Sequence, residues 1–454
     1  MDRRPNILFL MTDQHRWDAL SCVSDWVDTP HLDRIAAAGV RFPQAYTNAP
    51  VCVPARVSLA TGRYPHQTGV WTNGGRMLDR GADTWMQSVR DAGYATSVFG
   101  KTHLHPHRGD LRDREHLLHR WGLDHVDEIG GPRAMTRVSC RLTDLWREAG
   151  VMDAYREDME SRYRERPWVV RPSVVPLELY PDVYVGTQAR DHLRGYDDER
   201  PWMCWVSFSG PHEPWDTPAP YAGTFDPAAM PAPLVAEPSS PTRPQGAFDN
   251  RERFPFEPGD VAALRADYAA GLKLIDDQVG ELLRVVEERG ELDRTVIAFA
   301  SDHGEMNGDF GLIHKQNFLN PAARVPFLLQ VPGGRTGWEC PDPVELMDLG
   351  ATLAELAGGR PVPGSQARSV ADRVLGKTDQ GRQTVLSELS GEVMVASEKW
   401  KLALNKRGRP YLLFDLEADP QERRNLAGMP EHAGRERRLQ SVMLRRIVTS
   451  PSGP

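Results

Sequence analysis

Two pairs of polar residues stand directly after two apolar runs of the chain. Asp13-Gln14 follows residues 7–11, and Asp302-His303 follows residues 296–300. Both members of a pair can reach one cation, because side-chain alternation breaks down where the chain leaves a strand. Two carboxylates, an amide oxygen and an imidazole form a mixed ligand set. Its oxygens favour Ca²⁺ or Mg²⁺, and its nitrogen admits Mn²⁺ or Zn²⁺. The sequence therefore predicts a divalent-metal site.

Two further candidate groups follow apolar runs in the same way. Lys101 comes directly after residues 95–100, and the segment Ser209-Gly210-Pro211-His212 follows residues 202–208. Runs that are apolar on both faces suit the centre of a parallel sheet covered by helices. Sites in such sheets lie at the carboxyl ends of the strands. We therefore expect an α/β fold in which the groups after these four runs converge.

Cys52 and Arg56 stand in the segment Val51-Cys52-Val53-Pro54-Ala55-Arg56, which is followed by Thr61-Gly62-Arg63. The flanking prolines suit a tight turn that leads into a helix, whose first N–H groups favour an anion. A short motif of this kind is weak evidence alone. Together with the strand-end groups, in this order along the chain, it resembles the signature of the type I, formylglycine-dependent sulfatases of the alkaline phosphatase superfamily.

The resemblance implies a mostly parallel central sheet of the alkaline-phosphatase type and a specific chemistry. A formylglycine-generating enzyme would oxidise Cys52 to Cα-formylglycine, and the aldehyde hydrate would attack the sulfur of a sulfate ester. Arg56 would hold this hydrate. One divalent metal, usually Ca²⁺, would be bound by Asp13, Gln14, residue 52, Asp302 and His303.

The same resemblance assigns roles to groups elsewhere in the chain. Lys101 and Lys315 would neutralise the sulfate oxygens, and His212 would protonate the departing alcohol. His103 would take a proton from the second hydroxyl of the hydrate, which releases sulfate. Asn73 would donate a further hydrogen bond to the substrate. That substrate would be a small-molecule sulfate ester of an alcohol, a sugar or an aryl group.

Three positions depart from the usual family pattern. Many sulfatases have Asp where Gln14 stands, Asn where His303 stands, and a smaller residue at Val53. The Asp-Gln and Asp-His combination is also similar to choline sulfatases and phosphonate monoester hydrolases. The presence of both Lys101 and His103 favours sulfate.

Three alternatives to a sulfatase follow from the same residues. A phosphonate monoester or phosphodiester hydrolase would use the same scaffold and nucleophile. A catalytically silent scaffold protein would lack at least one key group, and no key group is missing from the sequence. A metal-dependent phosphomutase would need a Ser or Thr nucleophile and a second metal cluster, which the sequence does not offer.

Composition limits the function classes further. The 454 residues carry a formal net charge of −8, which gives no basic footprint for nucleic acid. No stretch approaches the roughly 20 apolar residues of a membrane span, and no signal peptide is visible. The five cysteines are scattered without metal-ligand spacing, which predicts a reducing, cytoplasmic location. We interpret the four cysteines other than Cys52 as small buried hydrophobes. Family members are often homo-oligomers, and the oligomeric state stays open.

The predicted organisation is a catalytic α/β domain over residues 1–340 and a smaller α+β subdomain over residues 341–454, built on a short antiparallel sheet. Residues 104–200 look polar and irregular, and residues 216–258 are rich in Pro and Ala. We interpret both segments as insertions that shape the substrate pocket. Apolar residues at three- and four-residue steps predict a helix over about 260–291.

Some charged groups receive a structural interpretation instead. Asp276-Asp277 is predicted to lie on a solvated helix face, and His105 and His107 are predicted to be surface or pocket-wall residues.

Overall fold

The computed structural model describes residues 4–166, 168–237 and 256–449. The strands are β1 (Asn6–Thr12), β2 (Val40–Arg41), β3 (Ala45–Tyr46), β4 (Ala95–Gly100), β5 (His125–Glu128), β6 (Trp202–Ser207), β7 (Thr295–Ser301), β8 (Phe327–Gln330), β9 (Trp338–Glu339), β10 (Val344–Glu345), β11 (Thr384–Leu389), β12 (Glu392–Ser397), β13 (Trp400–Leu404) and β14 (Pro410–Asp415).

The helices are α1 (Pro30–Ala38), α2 (Cys52–Thr61), α3 (Pro65–Thr68), α4 (Trp85–Asp91), α5 (Glu115–Arg120), α6 (Pro132–Met135), α7 (Arg141–Glu148), α8 (Met152–Glu165), α9 (Pro181–Arg194), α10 (Asp260–Glu288), α11 (Asn320–Ala323), α12 (Asp348–Leu356), α13 (Ala371–Val374) and α14 (Ala433–Thr449). Among the described helices, none has the length and hydrophobicity needed to cross a bilayer.

The central sheet has eight strands in the order β5-β4-β6-β1-β7-β8-β2-β9. Strands β4, β6, β1 and β7, which are consecutive in this order, are mutually parallel. They coincide with the four apolar runs, so the predicted parallel core is confirmed. A further apolar run, residues 325–331, contains β8, which pairs antiparallel with β7.

Helices cover both faces of this sheet, which explains why its strands are apolar on both sides. Along β1, Phe9 packs in one cluster with Trp85 of α4 and Leu349 of α12. Its neighbour Leu10 packs in the opposite cluster with Leu282 of α10. Burying each side chain of this size stabilises the fold by about 1.5–3 kcal/mol. The strand ends are therefore held rigidly, which fixes the groups that follow them.

The segment 104–200 is not irregular, and that part of the prediction is wrong. It contains helices α5 to α9, and its strand β5 pairs with β4 at the edge of the central sheet. Many of its charged residues lie on the exposed faces of these helices. Composition alone therefore does not reveal the apolar residues on their buried faces. Of the second predicted insertion, residues 238–255 lie outside the described residues.

Three smaller expectations are also corrected. Asp276 is fully buried, because its carboxylate accepts the backbone N–H groups of His31 and Leu32 at the start of α1. Its placement on a solvated face was therefore wrong. Cys22 is exposed, whereas the other three cysteines outside the site are buried as predicted. His105 is buried against Glu128.

The predicted antiparallel sheet near the C-terminus is confirmed. It has four strands in the order β11-β12-β13-β14, and α14 packs against β12 and β13. Helix α12 shares an apolar cluster with β1, so residues after 340 contribute to the core of the larger part. The division of the chain at 340/341 stays a prediction.

Candidate active site

Arg56 joins the carboxyl ends of the four central strands. Its Nε donates to Asp302 Oδ2 after β7 (2.8 Å), and its Nη2 donates to Asp13 Oδ2 after β1 (3.1 Å). Its Nη1 donates to Ser207 Oγ at the end of β6 (3.0 Å) and to the carbonyl oxygen of Lys101 after β4. The side chain is completely buried. The predicted convergence of the strand-end groups is therefore confirmed.

Cys52 is the first residue of α2, as the proline-flanked turn predicted. Its buried Sγ lies 3.1 Å from His303 Nε2 and 4.0 Å from Asp13 Oδ1. Burial raises the pKa of this thiol, but the charges of Lys315, Lys101 and His303 outweigh burial and hold it well below its ordinary value. Position 52 therefore lies where cationic groups stabilise a negative charge.

Asn73 fixes the start of this helix. Its Oδ1 accepts the backbone N–H of Val53 (2.9 Å), and its Nδ2 lies 3.6 Å from Cys52 Sγ. One side chain thus satisfies an unpaired N–H group of α2 and presents a donor to the site. Val53 is fully buried in the apolar core and leaves the turn intact.

Four side chains form a buried cluster with the ligand types that a metal requires. The ligand atoms of Asp13, Cys52, Asp302 and His303 all lie within 4.8 Å of one another. His303 Nδ1 donates to the carbonyl of Gly304 (3.0 Å), which orients the ring so that its Nε2 faces the cluster. Two carboxylates and an oriented imidazole fit a divalent cation.

The two carboxylates of this cluster differ in pKa. Burial and Cys52 raise the pKa of Asp13, but Lys101, His212 and Arg56 outweigh them and hold it well below its usual range. Burial and then the neighbouring charge of Asp13 raise the pKa of Asp302. A cation between the two carboxylates would relieve their repulsion.

Gln14 connects this cluster to a second group of buried charges. It adopts a positive φ of 70°, which is unusual for a residue with a side chain. Its Nε2 donates to Glu213 Oε2 (2.9 Å) and to Glu305, and its Oε1 accepts from Lys315 Nζ. The amide oxygen thus faces an ammonium group, and its role as a metal ligand stays a prediction.

Lys315 contacts both Gln14 and His212. Lys315 Nζ lies 2.9 Å from His212 Nε2, and His212 Nδ1 donates to the carbonyl of Glu213 (2.8 Å). Asp182 positions this loop by accepting the N–H groups of Ser209 (2.7 Å) and Gly210 (3.1 Å). Burial raises the pKa of Asp182 to about 6.

Lys101 and His103 lie beside the cluster of Asp13, Cys52, Asp302 and His303. Lys101 Nζ donates to Asp13, and His103 adopts a positive φ of 57°. The His103 ring stacks on His107 with centroids 4.6 Å apart, and His107 Nε2 lies 3.2 Å from Glu128 Oε1. Burial lowers the pKa of His103 to about 3, so this imidazole is neutral at pH 7.

Several buried acidic partners escaped the sequence reasoning. Glu213 directly follows His212, and Glu305 lies two residues after His303. Their positions in the sequence could therefore have identified them as candidate site residues. Glu128 ends β5, a strand that the sequence did not reveal, and Asp182 lies on α9. All four carboxylates are buried.

The chain is similar to known proteins over nearly its whole length. A family model described as Sulfatase matches residues 5–359. The chain is 28% identical to an arylsulfatase of Clostridium perfringens, over 99% of this chain and 96% of the relative. It is 30% identical to a choline-sulfatase of Rhizobium meliloti, over 94% and 83%. A solved phosphonate monoester hydrolase of Agrobacterium radiobacter superposes with a TM-score of 0.81 at 24% identity, over 99% and 96%, which shows the shared fold.

Proposed function

Because the chain belongs to the sulfatase family and is a sulfuric ester hydrolase, we propose that it cleaves its ester through a Cα-formylglycine formed from Cys52. One observation carries this proposal. The Cys52 thiol is buried at the start of α2 within 4.8 Å of the ligand atoms of Asp13, Asp302 and His303. The substrate would be a small-molecule sulfate ester.

In the mature enzyme an aldehyde hydrate would take the place of the thiol. A formylglycine-generating enzyme would convert the CH₂–SH group to an aldehyde with O₂ and a two-electron thiol reductant, so that the sulfur leaves as sulfide and one water is formed. A second water would then add to the aldehyde. Asp13, Asp302 and His303, with Gln14 and the hydrate, would hold a divalent cation, with Ca²⁺ favoured by the oxygen donors. Such a cation favours the ionised form of a hydroxyl bound to it. Arg56 would position both carboxylates, and the family resemblance adds a contact to the hydrate.

The hydrolysis then needs one nucleophile, one acid and one base. A hydroxyl oxygen of residue 52 that has lost its proton to solvent bonds to sulfur, and the bond from sulfur to the alcohol oxygen breaks. His212, in its doubly protonated form, gives its Nε2 proton to the departing oxygen, while its Nδ1 stays anchored on Glu213. Lys101 and Lys315 neutralise the sulfate oxygens.

His103 completes the cycle. As a neutral imidazole it takes the proton of the second hydroxyl, and the bond from carbon to the sulfated oxygen breaks. Sulfate leaves, the aldehyde returns, and a new water restores the hydrate. The stacked His107 and its partner Glu128 hold the His103 ring in place.

A phosphonate monoester or phosphodiester hydrolase is the second candidate. The pair Gln14 and His303 favours it, because this combination is similar to that of phosphonate monoester hydrolases as well as to that of choline sulfatases. The cationic Lys101 bound to Asp13, with His103 beside it, favours sulfate. The groups needed for catalysis are all present, which argues against a silent scaffold. Cytoplasmic location and self-association stay predictions from the sequence.

The test is the chemical state of residue 52 in protein co-expressed with a formylglycine-generating enzyme. We expect the mass of its peptide to fall by the amount that converts a thiol to an aldehyde. Cys52→Ser should lose turnover of aryl sulfates, whereas Cys22→Ser, at an exposed thiol, should keep it. An active enzyme with an unmodified Cys52 would refute the mechanism. Faster cleavage of a matched phosphonate monoester would favour the second candidate.

A further inference from the structure

A cavity of about 470 Å³ opens beside the nucleophile. Asn73 and His103 are among its lining residues, and Asn73 Nδ2 lies 3.6 Å from Cys52 Sγ. Arg108 and Arg137 also line it, and no acidic side chain among the described residues does. Cavities of about 300–1,000 Å³ commonly bind small molecules. The space is therefore suited to the organic part of the ester.

Among the described residues, the two arginines of this cavity lack acidic partners. Neither Arg108 nor Arg137 has a carboxylate within 4.0 Å in the part of the chain that the structure describes. Arg133, in the same segment, is by contrast bonded to the buried Glu213. The two guanidinium groups make this cavity locally positive. The chain as a whole is negative, with a formal net charge of −8.

We propose that this cavity binds a second anionic group of the substrate, so that the preferred ester carries a carboxylate or another sulfate on its alcohol. The inference rests on the proposed function and narrows its substrate class. A guanidinium binds carboxylate and sulfate oxygens through paired N–H groups, which suits both kinds of oxyanion. A cationic alcohol would be repelled, because the described lining residues include no carboxylate and none of the Phe, Tyr or Trp rings that hold quaternary ammonium groups.

Binding can be tested without turnover by sulfonates, whose carbon–sulfur bond the enzyme does not cleave. The probes are benzenesulfonates with a carboxymethyl, sulfomethyl or carbamoylmethyl group at the meta or para position. The first two substituents carry an anion, and the third is neutral and of similar size. We expect the better anionic isomer to bind about tenfold more tightly than the matching amide, as one charge-assisted hydrogen bond allows. The carboxymethyl and sulfomethyl arms distinguish the two oxyanions.

Charge-removing variants then locate the effect. In Arg108→Gln/Arg137→Gln the preference for the anionic probe should fall to about twofold or less, and each single variant should lower it in part. The matched control is Arg194→Gln/Arg200→Gln, which removes two exposed arginines of local ion pairs away from the cavity. The control should keep the full preference.

Each outcome has one meaning. Equal binding of anionic and neutral probes, or a preference that survives the double variant, would overturn the subsite. Phenyl sulfates with the same substituents measure turnover separately. If none of them is hydrolysed by protein whose residue 52 is an aldehyde, the proposed function fails, whereas the binding preference would still support an anion subsite.

Discussion

Replacing Arg56 with lysine keeps the buried positive charge but removes its planar fork. The guanidinium reaches Asp302, Asp13, Ser207 and the carbonyl of Lys101 from three nitrogen atoms. A lysine ammonium offers three N–H groups from one atom, so it cannot reach acceptors at four strand ends at once. We expect Arg56→Lys to loosen the junction on which the site is built.

The structure sets the size of this effect. If the ammonium keeps one carboxylate, at least one hydrogen bond to the other carboxylate and one to the Lys101 carbonyl are lost. Hydrogen bonds with a charged partner contribute about 1.5–3 kcal/mol each, so the loss is about 3–6 kcal/mol. An unfolding entropy of about 2.1 cal/mol/K per residue over 454 residues converts this loss to a Tm decrease of about 3–6 °C.

We also expect Arg56→Lys to lower kcat strongly, even though the variant stays folded. A displacement of about 1 Å at the reacting groups can cost about 100-fold in rate. The assay is thermal unfolding together with kcat for an aryl sulfate, measured on protein with a confirmed aldehyde at residue 52. The control is Arg147→Lys, which makes the same change at a half-exposed ion pair with Asp144 and should leave both quantities unchanged. A Tm within about 1 °C of the wild type together with unimpaired turnover would refute the reasoning.

Two further predictions concern the bound cation and the buried pair formed by His105 and Glu128. Adding Ca²⁺ at about 100 times its Kd should stabilise the protein by about 2.7 kcal/mol, and Asp302→Asn should abolish this rise in Tm; a variant that responds like the wild type would contradict the proposed ligand set. Burial lowers the pKa of His105, but Glu128 outweighs burial and raises it above the value in the unfolded chain. The stabilisation is therefore complete below about pH 6.5 and disappears as pH rises through the folded pKa. His105→Asn should lower Tm more at pH 6 than at pH 9, and an equal decrease at both values would exclude this linkage.

The amino-acid sequence alone determined the centre of the fold and most of the site. Strands β1, β4, β6 and β7 were readable because helices cover both faces of the sheet, which requires apolar residues at every position. The polar groups that interrupt each run had to lie at one edge, because parallel strands share a carboxyl end. Cys52 and Arg56 are four residues apart, so a helix places them on one face.

Only the tertiary structure decided which charged groups are buried and what they bind. The sequence predicted a solvated Asp276, but its carboxylate is buried and accepts two backbone N–H groups at the start of α1. Glu213 and Glu128 became part of the site because Gln14 and the histidines of another loop face them. Arg108 and Arg137, which have no carboxylate partner among the described residues, line one cavity because separate turns of the chain meet there. The environment of a charge depends on residues far away in sequence, so local patterns of hydrophobicity and spacing could not reveal it.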